Sequence, residues 1–310
     1  MPEYNKHNPA GRSWRRHWMS LALVALCTAS VLGGNATPSF AKDSLSLSQL
    51  WKEVSRRGRY VAPSRAELRQ AENLFLRTLS GVETIEELRS GWNELNLELL
   101  EHQIDDEQFW ILREKQTTLT GRGFYAFRRH GAIPIALQAP HSFYDRHTQV
   151  IAARLFCESQ SAAVAWNTLH RSIADLAHSR GNYIDAFTRA FVTVHATGIV
   201  VQLHGFSQGK RRTEAGASAD MILSGGTMYP SQWLQRSAAA MQQRFPHGSV
   251  KLFPHDVMEL GAITNVQGEI LRSTSSNRFM HVEMSDPLRV KMRGSRSVRS
   301  DFLKSLSESY

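Results

Sequence analysis

The chain has 310 residues, 42% hydrophobic and 21% charged, with a formal net charge of +9. It is long enough to bury a full core without covalent staples, and its two cysteines, Cys27 and Cys157, cannot form a disulfide framework. The basic residues are spread out apart from Lys210-Arg211-Arg212 and the tail Arg289–Arg299. That pattern argues against a nucleic-acid protein and suits anionic small substrates or cell-wall polymers.

Lys6, Arg12, Arg15 and Arg16 form a basic start, followed by the uncharged apolar run Met19–Leu32 and then Ser39-Phe40-Ala41, with small residues where a signal peptidase needs them. The run is shorter than the roughly 20 apolar residues that span a bilayer. Residues 1–41 are therefore expected to be a cleavable signal peptide, placing the protein in the periplasm or outside the cell with no stable membrane anchor after processing. A permanent amino-terminal anchor is the alternative; bulky Leu26 opposes a lipid on Cys27, and Arg15-Arg16 loosely resembles a twin-arginine signal. Cleavage removes four basic residues and one acidic one, lowering the net charge to +6 and leaving Cys157 alone.

Residues 42–120 are expected to be helical. Leu68, Leu74/Phe75 and Leu79, then Leu88, Trp92, Leu95 and Leu99, recur at helical intervals, and Ser64 with Glu67 reads as a capped start. This appended layer is expected to pack on a main α/β domain over 121–310. There, short apolar runs at 123–128, 132–138, 162–166, 199–203, 219–223, 249–253 and 278–284 alternate with helices at 145–157, 183–195 and 231–244, and the basic tail from Asp286 closes with one helix. The alternation predicts a mixed, largely parallel sheet flanked by helices.

In such sheets ligands gather at the carboxyl ends of strands. The run 132–138 leads into His141 and Asp145, the run 199–203 into His204 and Gly205, and the last run carries Glu283. Two imidazoles and a carboxylate, with a second carboxylate nearby, are the donor set of a catalytic zinc site with an open position for water. Each residue also has an ordinary reading. His141 and His204 could be polar loop residues, Gly205 allowing a tight bend; Asp145 could cap the helix that follows, and Glu283 could face water. The metal reading explains all four at once.

The stretches QAPHSFYD, DRHTQVIAARLF, IVVQLHGF and HVEMS, over about 128–290, resemble the zinc-dependent exopeptidase-like superfamily, more narrowly its N-formylglutamate amidohydrolase and N-acetylmuramoyl-L-alanine amidase branches. The resemblance implies one zinc ion held by His141, Asp145 and His204, with Glu283 as general base and acid. It departs from relatives using His-x-x-Glu, because the acid is an Asp four residues on, so His147 and Glu158 stand as alternative third ligands. Arg171, then Arg211, are candidates to bind a substrate carboxylate or the developing oxyanion. The expected activity is hydrolysis of an amide bond in an N-acyl amino acid, short peptide or peptidoglycan stem. Two rivals are a serine hydrolase using Ser207 of Gly205-Phe206-Ser207-Gln208-Gly209, and a non-catalytic envelope protein binding a peptide or wall fragment. Ser224-Gly225-Gly226-Thr227 reads as a tight strand-to-helix turn bordering the site, Gly261–Gly268 as a surface loop, and His195, His255 and His281 as further histidines, His281 sharing a strand face with Glu283.

Overall fold

The computed structural model describes residues 58–307 apart from 105, 116–118, 275 and 276, so the expected signal segment lies outside the described residues. Two helices come first, α1 (Arg65–Ser80) and α2 (Ile85–Glu94). Ser64 caps α1 as its spacing predicts, its hydroxyl accepting from the Glu67 amide while the Glu67 carboxylate accepts from the Ser64 amide; Thr84 and Glu87 repeat the device on α2.

The helical reading of this region ends there. Leu95 is the C-cap of α2, Asn96 turns the chain at φ 59°, and 97–114 forms an antiparallel hairpin, β1 (Leu97–Ile104) with β2 (Glu107–Glu114), where a helical continuation through Leu99 was expected. Leu99 lies four residues after Leu95 but also two after Leu97, and burial of Leu97 and Leu99 on one face of β1 selects the two-residue period.

The remaining strands are β3 (Phe124–Arg128), β4 (Ile133–Ala139), β5 (Ser161–Trp166), β6 (Ile199–Phe206), β7 (Met221–Ser224), β8 (Val250–Leu252) and β9 (Phe279–Ser285). Together they make one nine-stranded sheet in the order β1-β2-β3-β5-β4-β6-β9-β7-β8. The four central strands β5, β4, β6 and β9 are parallel, while β3 on one side and β7 on the other run against them. The predicted mixed, largely parallel α/β class is the observed one.

Between the strands lie α3 (Thr148–Cys157), α4 (Tyr183–Val194), a short α5 (Glu214–Ser218), α6 (Gln232–Arg244) and α7 (Val266–Ser273); the tail forms two helices rather than one, α8 (Asp286–Gly294) and α9 (Arg296–Ser307). Both faces of the sheet are covered. Leu155 and Phe156 of α3, Leu234 and Met241 of α6, Met292 of α8 and Phe302 of α9 fill one side. On the other side Phe75, Trp92, Phe187 and Phe191 from α1, α2 and α4 meet Tyr125 and Phe127 of β3. Phe75 sits at the centre of that second core, its ring 4.8 Å from those of both Trp92 and Tyr125 and 5.5 Å from Phe187. With both faces buried, the central strands leave their carboxyl ends as the place where polar side chains can gather.

Candidate metal centre

His141 follows β4 in a tight turn in which the amides of Tyr144 and Asp145 both donate to its carbonyl. Helix α3 begins only at Thr148, preceded by His147 in the left-handed region at φ 77°, so Asp145 caps nothing. Its carboxylate is turned inward instead. Strand β6 runs three residues further than expected, so His204 belongs to the strand and is paired in parallel register with Glu283 of β9. Gly205 is not the site of a bend. A Cβ there would run into the Arg289 guanidinium, which donates to the carbonyls of Phe206 and Met284 and so ties the ends of β6 and β9 together.

These elements bring His141, Asp145 and His204 together, all buried. The Nδ1 atoms of the two histidines are 3.1 Å apart, and Asp145 Oδ2 lies 3.2 Å from His204 Nδ1 and 3.3 Å from His141 Nδ1. For a tetrahedral ion with bonds of about 2.0 Å, neighbouring ligand atoms are about 3.3 Å apart, so the triangle has the size of a zinc-type face. The protons point the same way. Nε2 of His141 faces the Asp175 carboxylate at 2.8 Å, and Nε2 of His204 faces the Gln202 carbonyl oxygen at 2.9 Å. Both partners only accept, so each ring carries a proton on Nε2; His204, kept neutral by burial, directs a bare Nδ1 lone pair at the common point, while without an ion His141 also holds a proton on Nδ1 for Asp145 Oδ2. The His204 lone pair and the Asp145 carboxylate aimed at one spot call for a positive charge between them, which the His141 proton supplies in the free protein and which an ion would supply in its place. The donors present fit a divalent cation.

The local charges follow from burial and these contacts. Burial holds His204 down at about 4. Burial also lowers His141, but hydrogen bonds with Asp145 and Asp175 outweigh it and raise that ring above its ordinary value. Asp145 resists the upward push of burial through its bonds with His141 and His204 and stays well below the usual carboxylate range. Glu283 is pushed up to about 8 by burial, and the neighbouring Asp145 charge adds to this. Its Oε2 is buried without a hydrogen-bond partner, and Glu283 clusters with His204 and His281. The ring of His281 lies 4.4 Å from that of His204, and its Nε2 is 3.8 Å from Glu283 Oε1, as their shared strand face implied.

Asp175 is the site residue that sequence reasoning missed. It accepts from His141, Arg171 Nε and His178, and it comes from an irregular stretch, 167–182, with no periodicity to mark it. Arg171 is thus committed to Asp175 and stacks over Tyr144, which is 55% exposed at the edge of the site. Arg211 lies over Phe206, 3.5 Å from Glu259, and its charge reaches Glu283.

The other candidates stand elsewhere. Glu158, beyond the far end of α3, grips Arg299 with both oxygens at 2.8 and 2.6 Å, and His147 joins no metal-sized cluster among the described residues. Ser207 has extended backbone at φ −104° and ψ 122°, and among the described residues no hydrogen bond links its hydroxyl to a histidine, so the serine constellation is not assembled. The turn after β7 does not border the site: Ser224 pairs with His281 in antiparallel register, which sends the following glycines toward the opposite end of β9.

No family model and no curated protein matches the sequence. Among solved structures the chain is similar to zinc-free YndL, with 13% identity and a TM-score of 0.35 over 57% of this chain and 86% of that one. It is also similar to a gene product from Agrobacterium tumefaciens, with 10% identity and a TM-score of 0.43 over 57% and 88%. A third likeness is to succinylglutamate desuccinylase from Vibrio parahaemolyticus, with 10% identity and a TM-score of 0.38 over 76% and 79%. The functional reading rests on the site itself.

Proposed function

We propose that the chain is an exported zinc-dependent hydrolase that cleaves an amide bond in an N-acyl amino acid, a short peptide or a peptidoglycan stem. One observation carries this reading: the Nδ1 atoms of His141 and His204 and the Asp145 carboxylate meet within 3.1–3.3 Å of one another, with the buried Glu283 side chain, its Oε2 unpartnered, on the adjacent strand. His141, Asp145 and His204 would hold the ion. When bound, such an ion supplies Lewis acidity, which polarises a carbonyl and makes water a better acid.

The chain's own residues divide the remaining work. With an ion's positive charge nearby to displace the proton that burial holds on it, Glu283 would accept a proton from the attacking water and deliver it to the leaving nitrogen; its Oε2 is free for both steps. Asp175 holds the His141 ring and its proton in place. Arg211, only loosely paired with Glu259, is the better placed cation for a substrate carboxylate, since Arg171 is taken up by Asp175. The signal segment at 1–41 supports export and points to substrates of the cell envelope.

The test is metal analysis of purified protein alongside hydrolysis of a panel of N-acyl amino acids and stem peptides. About one equivalent of zinc, lost together with activity in His204→Ala, is the expected result. Glu283→Gln is expected to keep the metal and lose turnover. A metal-free protein without hydrolytic activity would instead leave a non-catalytic binding protein of the envelope.

A further inference from the structure

We infer that the proton of His204 is locked on Nε2 by a buried chain of side-chain amides whose direction is dictated from two remote anchors, Asp185 on α4 and Asn265 at the start of α7. Gln138, Gln202, Gln267, Asn265, Asp185 and Thr188 are each at most 1% exposed, far more amide and carboxylate than a core normally hides. Every one is engaged, and the bonds have a sense.

At the α4 end, both outer contacts of Asp185 are fixed by the backbone: its Oδ2 accepts from the amides of Gly181 and Asn182. Its Oδ1 accepts from Gln267 Nε2 at 2.6 Å, and the same nitrogen donates to the Leu176 carbonyl at 2.9 Å. With both amide protons spent, Gln267 can only turn its oxygen toward Gln202, whose Nε2 donates to it at 3.0 Å. The second proton of Gln202 goes to Gln138 Oε1 at 3.0 Å, and Gln138 passes its own amide to Thr188. Gln202 is left with its oxygen facing His204. The α7 end agrees independently. Asn265 caps the helix by accepting the Gly268 amide on Oδ1, which leaves its Nδ2 to donate to Gln202 Oε1 at 2.5 Å. An oxygen that already accepts from Asn265 can offer His204 Nε2 only an acceptor, so that nitrogen keeps its proton.

Gln202, Gln267, Asn265 and Asp185 are therefore positioning residues that act on the cluster through the tautomer of one ring. Burial pushes Asp185 up to about 6, leaving it mainly ionised at neutral pH, as an anchor that only accepts must be. The consequence for metal affinity rests on the metal reading above; the tautomer does not.

The direction can be reversed without changing charge or composition. In the exchange Asp185→Asn with Asn265→Asp, the carboxylate introduced at position 265 still caps α7 but now demands a donor from Gln202. The amide introduced at position 185 still accepts from the two backbone amides but now donates to Gln267. Gln202, Gln267 and Gln138 then turn over together; the turned Gln267 sets its oxygen against the Leu176 carbonyl, which keeps its bond from Asn182 Nδ2 but loses the one from Gln267. Gln202 now presents N–H to His204 Nε2 and drives the proton to Nδ1, into the ligand triangle. The tautomer is read in metal-free protein by long-range nitrogen–proton NMR of the labelled histidine rings, and zinc affinity by competition with a chromophoric chelator. The expected result is His204 protonated on Nε2 in the parent and on Nδ1 in the exchange variant, with zinc binding weakened about 10–100-fold. If the exchange variant does not fold, Gln202→Met supplies the test: loss of the acceptor is expected to give a mixed tautomer and weaker zinc binding. An unchanged Nε2 tautomer in the variant that folds overturns the inference. A reversed tautomer with undiminished zinc affinity supports it and overturns the metal reading instead.

Discussion

His141 and His204 are 63 residues apart in sequence, yet their Nδ1 atoms stand 3.1 Å from each other, each ring turned there by an acceptor on its far side. A cation placed between them binds the folded chain and not the unfolded one. Zinc at about 100 times its Kd is therefore expected to stabilise the protein by about 2.7 kcal/mol. For a chain of this size that is a rise in Tm of several degrees, at about 2–4 °C per kcal/mol. Thermal scans with zinc and with chelator check it; His141→Ala should abolish the difference, and a parent Tm indifferent to zinc would remove the basis for the site.

Asp175 does to His141 what Gln202 does to His204, but with a formal charge, and it is shared with Arg171 and His178. Asp175→Asn keeps an acceptor and gives up the charge; Asp175→Ala gives up both. Zinc affinity is expected to fall about 10-fold in the first and toward 100-fold in the second, measured by chelator competition. Equal affinities in all three proteins would show that His141 needs no such support.

Gly205 is needed for space. Gly205→Ala pushes on the Arg289 guanidinium, which is buried and holds the carbonyls of Phe206 and Met284. The overpacking is expected to cost about 1–3 kcal/mol in urea unfolding. Removing the obstacle in Gly205→Ala/Arg289→Ala should leave a smaller further loss than the two single effects added together, the mark of a direct contact.

In metal-free protein Glu283 holds its proton up to about 8, above the ordinary carboxylate value. Between about pH 5 and 8 the folded chain then binds more protons at this position than the unfolded chain, so this group makes stability fall as pH rises. Glu283→Gln cannot ionise, and its urea midpoint should vary less over that window. A parent and variant with parallel pH profiles would count against the raised value.

Phe75 touches Trp92, Tyr125 and Phe187, drawn from α2, β3 and α4. Phe75→Ala leaves a hole where the helical layer meets the sheet and is expected to cost about 3–5 kcal/mol by chemical denaturation. A loss below about 1 kcal/mol would mean that the α1–α2 layer is not integral to the core.

What the sequence alone determined is local. Apolar runs alternating with helices announced the strands from 124 onward and a mixed, largely parallel sheet, and Ser64 with Glu67 marked the start of α1, because side-chain period and capping are properties of neighbouring residues. The placement of His141, Asp145, His204 and Glu283 at or beside strand ends was readable for the same reason. Where two periods coincided, as at Leu97 and Leu99, burial against the sheet broke the tie toward strand. Only tertiary structure decided that Asp145 faces the site rather than capping α3, and that Glu158 belongs to Arg299. Tertiary structure alone also revealed that Asp175 and Gln202 hold the two rings, since a hydrogen bond spanning 34 residues to an irregular stretch, or one running through three glutamines from separate elements, leaves no periodic trace in the sequence.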